Sequence, residues 1–452
     1  MAVYSLQNND KPVEEYALCE AIEGYQLPFN FDAQIVKPRQ LNLLSLFSGC
    51  GGMDIGFEGG FICHKKSINP NSGWIENSIN DNWVKVKETR FNTVFANDIL
   101  EEARATWISY MERRGHSSEI YHFGSIVDYV KRYNAGINEF PDHVDIVTGG
   151  FPCQDFSVAG KRKGFESQKD HNGKLRDDSI PSEESRGKLY FWMKQVIDIT
   201  RPKIFIAENV KGLVNLGDVK RIIQNDFAEA GGNGYIVLDP QVLHAADYGV
   251  PESRERVIFI GIRKDALNQE ALEALQSENI SDKYNPYPKP THSFNYKNKH
   301  LMPPVVCGDV LADLPEPEAS KDPSHRHYSK AKYMGDHCQG QKEISLDKIG
   351  PTIRSEHHGN IEYRRLSAEH GGTMHGELAK GLKERRLTPR ECAMIQTFPP
   401  DYDFVRYKDY NKTRFIVSSS GAYKVIGNAV PPVLAYNIAK RIEEVWDLYF
   451  GA

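Results

Sequence analysis

Cys153 is the side chain of this sequence whose neighbours best suit a nucleophile. It follows Gly149-Gly150-Phe151-Pro152, and the run before these, Asp142-His143-Val144-Asp145-Ile146-Val147-Thr148, reads as a short buried parallel strand closed by two glycines. Pro152 fixes its own φ and steers Phe151 away from the helical region, so the thiol sits on a stiff turn. The carboxyl edge of an open α/β sheet is where such folds bind ligands. Taken alone, Cys153 is equally well a buried structural cysteine. Its company decides for chemistry: Glu208-Asn209-Val210 after the strand Ile204-Phe205-Ile206-Ala207, and Arg254-Glu255-Arg256 before the strand Val257-Ile258-Phe259-Ile260. A thiol, a carboxyl and a guanidinium pair suit nucleophilic and acid–base catalysis.

The elements that position these groups begin with Leu41-Asn42-Leu43-Leu44-Ser45-Leu46-Phe47, a buried strand that runs into Ser48-Gly49-Cys50-Gly51-Gly52-Met53-Asp54 and a helix start. Glycines let the backbone approach a ligand closely, and a helix N-terminus offers free N–H groups. Asp98, in Phe95-Ala96-Asn97-Asp98-Ile99, ends the next strand, where an acid takes the ribose hydroxyls of a nucleoside cofactor. The spacing is not that of a dinucleotide fingerprint, so S-adenosylmethionine is the better match.

Strand and helix patterns alternate to about residue 265, as a mostly parallel sheet requires. Residues 1–40 read as a polar extension. His64–Arg90 and Gln168–Ser185 read as surface insertions, mobile until something binds. Residues 266–385 change texture to proline, histidine and tyrosine with few apolar runs, and read as a separate loop-rich domain. Residues 386–452 return to the pattern of the catalytic domain 41–265: Thr388 caps a helix with Pro389 in its first turn, and Val433 to Phe450 form a closing helix. The seven cysteines form no Cys-x-x-Cys pair, which points to reduced thiols in a cytoplasmic protein. No stretch is long and apolar enough for a bilayer, so no membrane partner is expected. A net charge of −5 excludes a chain that is basic throughout, so any nucleic-acid surface must be local. His325, His327, His337, Cys338, His357 and His358 lack the spacing of a structural zinc site, and no metal is expected.

Together and in this order, the motifs resemble the DNA cytosine-5 methyltransferase family, in particular its bacterial type II members. Phe47-Ser48-Gly49-Cys50-Gly51-Gly52 is similar to the family's cofactor motif, Gly150-Phe151-Pro152-Cys153-Gln154 to its nucleophile motif, Glu208-Asn209-Val210 to its acid motif and Arg254-Glu255-Arg256 to its arginine motif. Arg386-Leu387-Thr388-Pro389-Arg390-Glu391-Cys392 through Pro399, and Ala422 through Val430 with Gly427-Asn428-Ala429, resemble the two late motifs. The resemblance covers 41–265 and 386–452 and makes 266–385 the target-recognition domain. It implies a Rossmann-like α/β fold and catalytic roles for Cys153, Glu208, Arg254 and Arg256. It also implies a cofactor site from Phe47, Gly49, Gly51, Gly52, Asp98, Ile99, Ser125, Ile126, Leu189, Asn428 and Val430. Two positions depart from the family: Ser125 stands where an acid is usual, and Glu252 where a glutamine is usual.

The implied reaction is methyl transfer from S-adenosylmethionine to C5 of a cytosine in double-stranded DNA. Cys153 adds to C6 as a thiolate, Glu208 shares a proton with N3, the arginines supply positive charge, and the base must leave the stack. The implied partners are duplex DNA and a separately encoded restriction endonuclease, with the protein itself a monomer. Lys161-Arg162-Lys163, the lysines Lys297, Lys299, Lys321, Lys330 and Lys332 with Arg326, and interleaved Tyr284, Tyr287, Phe294, Tyr296, Tyr328 and Tyr333 suit phosphate and groove contacts. Thr352 to Asn360 holds side chains able to read base edges. Two other readings stay open: the same fold acting on tRNA, and a DNA-binding homologue with a decayed active site.

Overall fold

Strands β1 (Leu41–Leu46), β2 (Phe91–Asp98), β3 (Tyr121–Phe123), β4 (Ile146–Gly150), β5 (Ile204–Val210), β6 (Tyr235–Val237), β7 (Gln241–His244) and β8 (Glu255–Arg263) build one sheet in the order β7-β8-β5-β4-β1-β2-β3, with β6 also on β8. The pairs of β1 with β2 and β4, β2 with β3, and β4 with β5 are parallel; β8 runs antiparallel to β5, β6 and β7. The computed structural model describes residues 40–152, 189–215, 218–335, 337–355, 361–408, 410 and 412–451. Cys153, Lys161-Arg162-Lys163, the insertion at 168–185, the extension 1–39 and the base-reading candidates 356–360 lie outside them.

Alternate residues of β1 feed two cores, one on each face. Leu41 and Leu43 pack with Met53, Ile55 and Phe57 of α1 (Gly52–Glu58), with α2 (Glu101–Met111) and with α8 (Pro432–Phe450). Leu44 and Leu46 pack with α3 (Ile126–Asn134), α4 (Leu189–Thr200) and α5 (Val219–Ala228). Continuous apolar runs of this kind suit strands covered on both faces. The order turns at β1, whose neighbours lie on opposite sides, and the crevice above such a point is the ligand site of doubly wound sheets.

Three local expectations are corrected. β4 starts at Ile146 and takes in Gly149 and Gly150, which pair with Ala207 and Glu208 instead of closing the strand. A Cβ on Gly149 would meet Met193 Sδ at 2.9 Å, and one on Gly150 would meet Glu208 Oε2 at 2.9 Å, so both glycines make room inside the sheet. Glu208-Asn209-Val210 likewise lie within β5, and Glu255-Arg256 within β8. The stretch from His64 to Arg90 is ordered: Ile62–His64, Trp83–Val86 and Ile75–Ser78 form an antiparallel sheet in which Trp83, Val84 and Val86 are buried. Asn and Gly residues scattered between these apolar side chains mask their alternation in the sequence.

Residues 266–385 carry short elements only, among them the helices Gln269–Gln276, Cys307–Leu311, Pro323–Arg326 and His375–Ala379. Charged groups are buried here. Arg385 makes two hydrogen bonds to Glu391, at 2.8 and 2.9 Å, and one to Glu316 at 3.0 Å, while Arg365 pairs with Glu316 and Glu377. Arg386 donates to the carbonyls of Ala331, Lys332, Gly340 and Ile361 and lies over the Tyr363 ring. Tyr284 and Tyr287, expected to face a ligand, are buried, and the Tyr287 hydroxyl donates to the carbonyl of Ile258. His325 sits between Thr388 Oγ1 and the Pro315 carbonyl, both within 2.8 Å.

The chain then returns to helix. Thr388 and Glu391 form a reciprocal capping box at the start of α6 (Pro389–Ile395). Ser418 caps α7 (Ser419–Asn428), and α8 follows. Among the described residues, no helix is long and apolar enough to cross a membrane.

Candidate active site

Two clusters meet at the carboxyl edge of the sheet. The first is the turn after β1. Phe47 takes a positive φ of 52°, Gly51 N donates to the Ser48 carbonyl, and Gly49 N donates to Asp98 Oδ2 at 3.0 Å. Asp98 also accepts from Leu100 N at 2.9 Å, so its carboxylate ties the ends of β1 and β2 together; burial pushes its pKa up. Gly49, Gly51 and Gly52 have different reasons to be glycine. A Cβ on Gly49 would meet nothing within 4 Å, so this residue borders open space. One on Gly51 would lie 2.8 Å from the Trp107 ring, and one on Gly52 would lie 2.2 Å from the Val430 carbonyl oxygen. The last two are therefore required by packing.

Around this turn Ile99 is 38% and Phe123 45% exposed, an unusual pair of solvent-facing apolar side chains at the ends of adjacent strands. Phe123 is not among the expected cofactor residues; the signal for it in the sequence is an aromatic residue that closes a strand just before Gly124. Ser125 is buried at the N-cap of α3, and Ile126 packs into the core beneath it. Leu189 is buried in the same core as Phe151. Asn428 is exposed at the end of α7, and Val430 is buried. A glycine beside open space, a carboxylate at the strand end and two exposed apolar side chains fit a nucleoside-bearing cofactor.

The second cluster surrounds Glu208. Its carboxylate lies over Gly150, three residues before Cys153, and Arg256 Nε holds Oε1 at 2.7 Å. Burial raises the Glu208 pKa above the ordinary carboxyl value, and the guanidinium groups of Arg256 and Arg254 oppose that shift. Asn209 Nδ2 donates to the Phe151 carbonyl at 3.1 Å and so anchors the backbone leading into Pro152-Cys153; no expectation had singled out this amide.

The two arginines, both expected to supply positive charge, have different surroundings. Arg256 stays partly accessible beside Glu208. Arg254 is fully buried, and its guanidinium donates to the carbonyls of Ile353 (3.1 Å), Gly427 (3.0 Å) and Ala429 (2.7 Å). It joins the Ile353 segment to the turn that carries Asn428. Glu252 reinforces this junction by accepting from Ile353 N at 2.7 Å.

An open sheet with a nucleoside-type turn on one side of its switch point and a carboxylate–guanidinium pair on the other has the build of a Rossmann-like group-transfer enzyme. The chain belongs to the C-5 cytosine-specific DNA methylase family, whose profile matches residues 41–444. It is 32% identical to the type II methyltransferase M.BspRI of Lysinibacillus sphaericus over 90% of this chain and 82% of that one. It is 30% identical to M.BsuRI of Bacillus subtilis over 89% of this chain and 79% of that one. The solved structure of a methyltransferase from Entamoeba histolytica shares the fold, with a TM-score of 0.50, 15% identity, and coverage of 91% of this chain and 99% of that chain. The protein is a DNA cytosine-5 methyltransferase of the type II kind, from a family that depends on S-adenosylmethionine.

Proposed function

We propose that this enzyme methylates C5 of a cytosine flipped out of a short specific duplex sequence, through an adduct between the Cys153 sulfur and C6. One observation carries the reading of the site: the buried Glu208 carboxyl, held by Arg256, lies over the glycine that leads into Pro152-Cys153. C5 of cytosine is a weak nucleophile. Addition of a thiolate to C6 makes the ring an enamine and concentrates electron density on C5. That addition is easier when N3 gains a proton, and a carboxyl with a raised pKa can share one. Arg256 keeps the carboxyl oriented. Asn209 holds the Phe151 carbonyl, two residues before Cys153 in the chain. Arg254 acts as a positioning residue for the Asn428 turn and Ile353.

Phe47, Gly49, Asp98, Ile99, Ser125 and Asn428 would hold S-adenosylmethionine, with Phe123 added as an apolar wall. When bound, the cofactor supplies an electrophilic methyl group. Asp98 suits the ribose hydroxyls, and Ile99 with Phe123 suits the faces of the adenine. Loss of the C5 proton after substitution frees the cysteine. A stacked base cannot reach the thiol, so the cytosine must leave the helix.

Residues 41–265 and 386–452 then form the catalytic domain and 266–385 the recognition domain. The enzyme works as a cytoplasmic monomer without metal, and it protects host DNA against a separately encoded endonuclease. The test is duplex DNA containing 5-fluorocytosine at varied sites, incubated with S-adenosylmethionine. Fluorine blocks loss of the C5 substituent, so the enzyme stays attached. A denaturation-resistant adduct mapped to Cys153 is expected, whereas trapping on tRNA alone would move the substrate to RNA. Absence of any adduct would remove the covalent mechanism.

A further inference from the structure

We propose that the hairpin formed by Arg406–Tyr407 and Phe415–Val417 is a second DNA-contacting element, one that grips backbone phosphates flanking the methylated site. Residues 406–417 contain four basic side chains and one acidic, in a chain whose overall charge is −5. The strands pair antiparallel, and Lys408 N donates to the Arg414 carbonyl at 2.8 Å across the turn. Lys408, Lys412 and Arg414 are exposed, and among the described residues none of them takes part in an ion pair. Four cations against a single carboxylate within twelve residues suit a polyanion.

The exposed apolar side chains point the same way. Tyr410 is fully exposed, and Phe415 and Ile416 are each 39% exposed. Aromatic and aliphatic groups between cations match a sugar–phosphate surface, where phosphates take the charges and sugars the apolar groups.

The hairpin is rigidly seated next to the site. Tyr407 and Phe415 stack at 5.0 Å, and His327 stands edge-on to both rings. Arg406 Nη1 donates to the Ala105 carbonyl of α2, the helix that follows Asp98, and Ser418 at the hairpin's end caps α7, which leads to Asn428. Through His327 the hairpin adjoins Arg326, Lys330 and Lys332, three exposed cations of the region read as target-recognising. Two basic segments distant in sequence thus become neighbours.

The inference rests on the reading that the substrate is duplex DNA. It is tested on the full-length protein with the triple variant Lys408→Ala, Lys412→Ala, Arg414→Ala, by equilibrium binding to long mixed-sequence duplex DNA over a salt series. Each lost phosphate contact lowers the slope of log affinity against log salt by about 0.9. A fall in slope of about 3 and roughly a tenfold or greater loss of affinity near 0.1 M salt are expected. Lys→Arg changes at 408 and 412 should restore both, and an unchanged melting temperature excludes a folding defect. Identical slope and affinity in variant and parent would overturn the proposal and leave the hairpin to a protein partner. If the parent protein itself fails to bind duplex DNA, the functional reading falls first, a result distinguishable from loss confined to the variant.

Discussion

The sheet and the stretch from Glu316 to Glu391 bury different kinds of group. Around β1, β4 and β5 the interior is mainly Leu, Ile, Val and Phe, and the buried Glu208 stands with the partly accessible Arg256 at the strand ends where ligands bind. Between 316 and 391 the buried groups include Arg364, Arg365, Arg385, Arg386, Arg390, Glu362 and Glu391, most of them paired with one another or with backbone carbonyls. Apolar burial is non-directional and strong in aggregate. A buried guanidinium stabilises only when its donors meet acceptors in the correct geometry, and removing one partner leaves a charge that cannot reach water. In the first region a charge pair is free to serve chemistry; in the second, charges hold the chain.

The largest expected effect tests that division in the sheet. Glu208→Gln should lower the methylation rate by ~10²–10⁴-fold, the usual reach of acid catalysis, with little change in the urea midpoint. A near-normal rate with a lowered midpoint would make Glu208 structural and break the contrast. Arg385→Ala should show the reverse pattern. Its removal takes both guanidinium hydrogen bonds from the buried Glu391, at a cost of about 3–5 kcal/mol of stability, while the folded fraction keeps most of its turnover. Chemical denaturation with active-site titration separates the two quantities. Gly150→Ala probes the seam between packing and chemistry: its Cβ would crowd Glu208 Oε2, and a displacement of this order costs ~10²-fold in rate.

The smallest effect is in pH dependence. Asp54, buried against Ser45 Oγ and Trp107 Nε1, has its pKa raised by burial to about 6. The folded state therefore holds this proton more tightly than the unfolded chain, and its contribution to stability falls as pH rises from about 4 to about 6. Glu316 and Glu377 have lowered pKa values from their arginine partners, opposing the effect of burial, so their contribution is present above the ordinary carboxyl pKa and is lost as pH falls through their folded values. Asp54→Asn should flatten the upper limb of stability against pH and leave the acid limb intact. A change confined to the acid limb would show that the two regions do not titrate separately.

The same contrast explains what was legible in the sequence. β1, β2, β5 and β8 were visible because strands covered on both faces are largely apolar, and the glycine turn, Asp98, Glu208 and Arg256 sit at their ends. The capping box at Thr388 was visible because a cap is a local interaction. Phe123 and Asn209 were not singled out, since a role as an exposed wall or a backbone anchor depends on neighbours distant in sequence. The buried role of Arg254 was equally hidden: its acceptors lie at 353, 427 and 429. The burial of Arg385 and Arg386 was hidden too, since their acceptors include Glu316, Gly340 and Ile361. The ordered sheet within 62–86 was hidden among polar residues, because long-range pairing, not local pattern, holds it.

The contact of Gly52 with the Val430 carbonyl, and of Gly56 with Pro432 and Ala435, carries a consequence for how the protein is made. A seven-residue helix such as α1 cannot persist by itself in water. It takes shape against α8, which the ribosome delivers almost four hundred residues later. A chain still being synthesised therefore lacks the cofactor turn, although the strand bearing Glu208 is already complete. Methylation begins only once α8 has emerged and docked. Removal of α8 should therefore abolish methylation although the strand bearing Glu208 is still encoded in full.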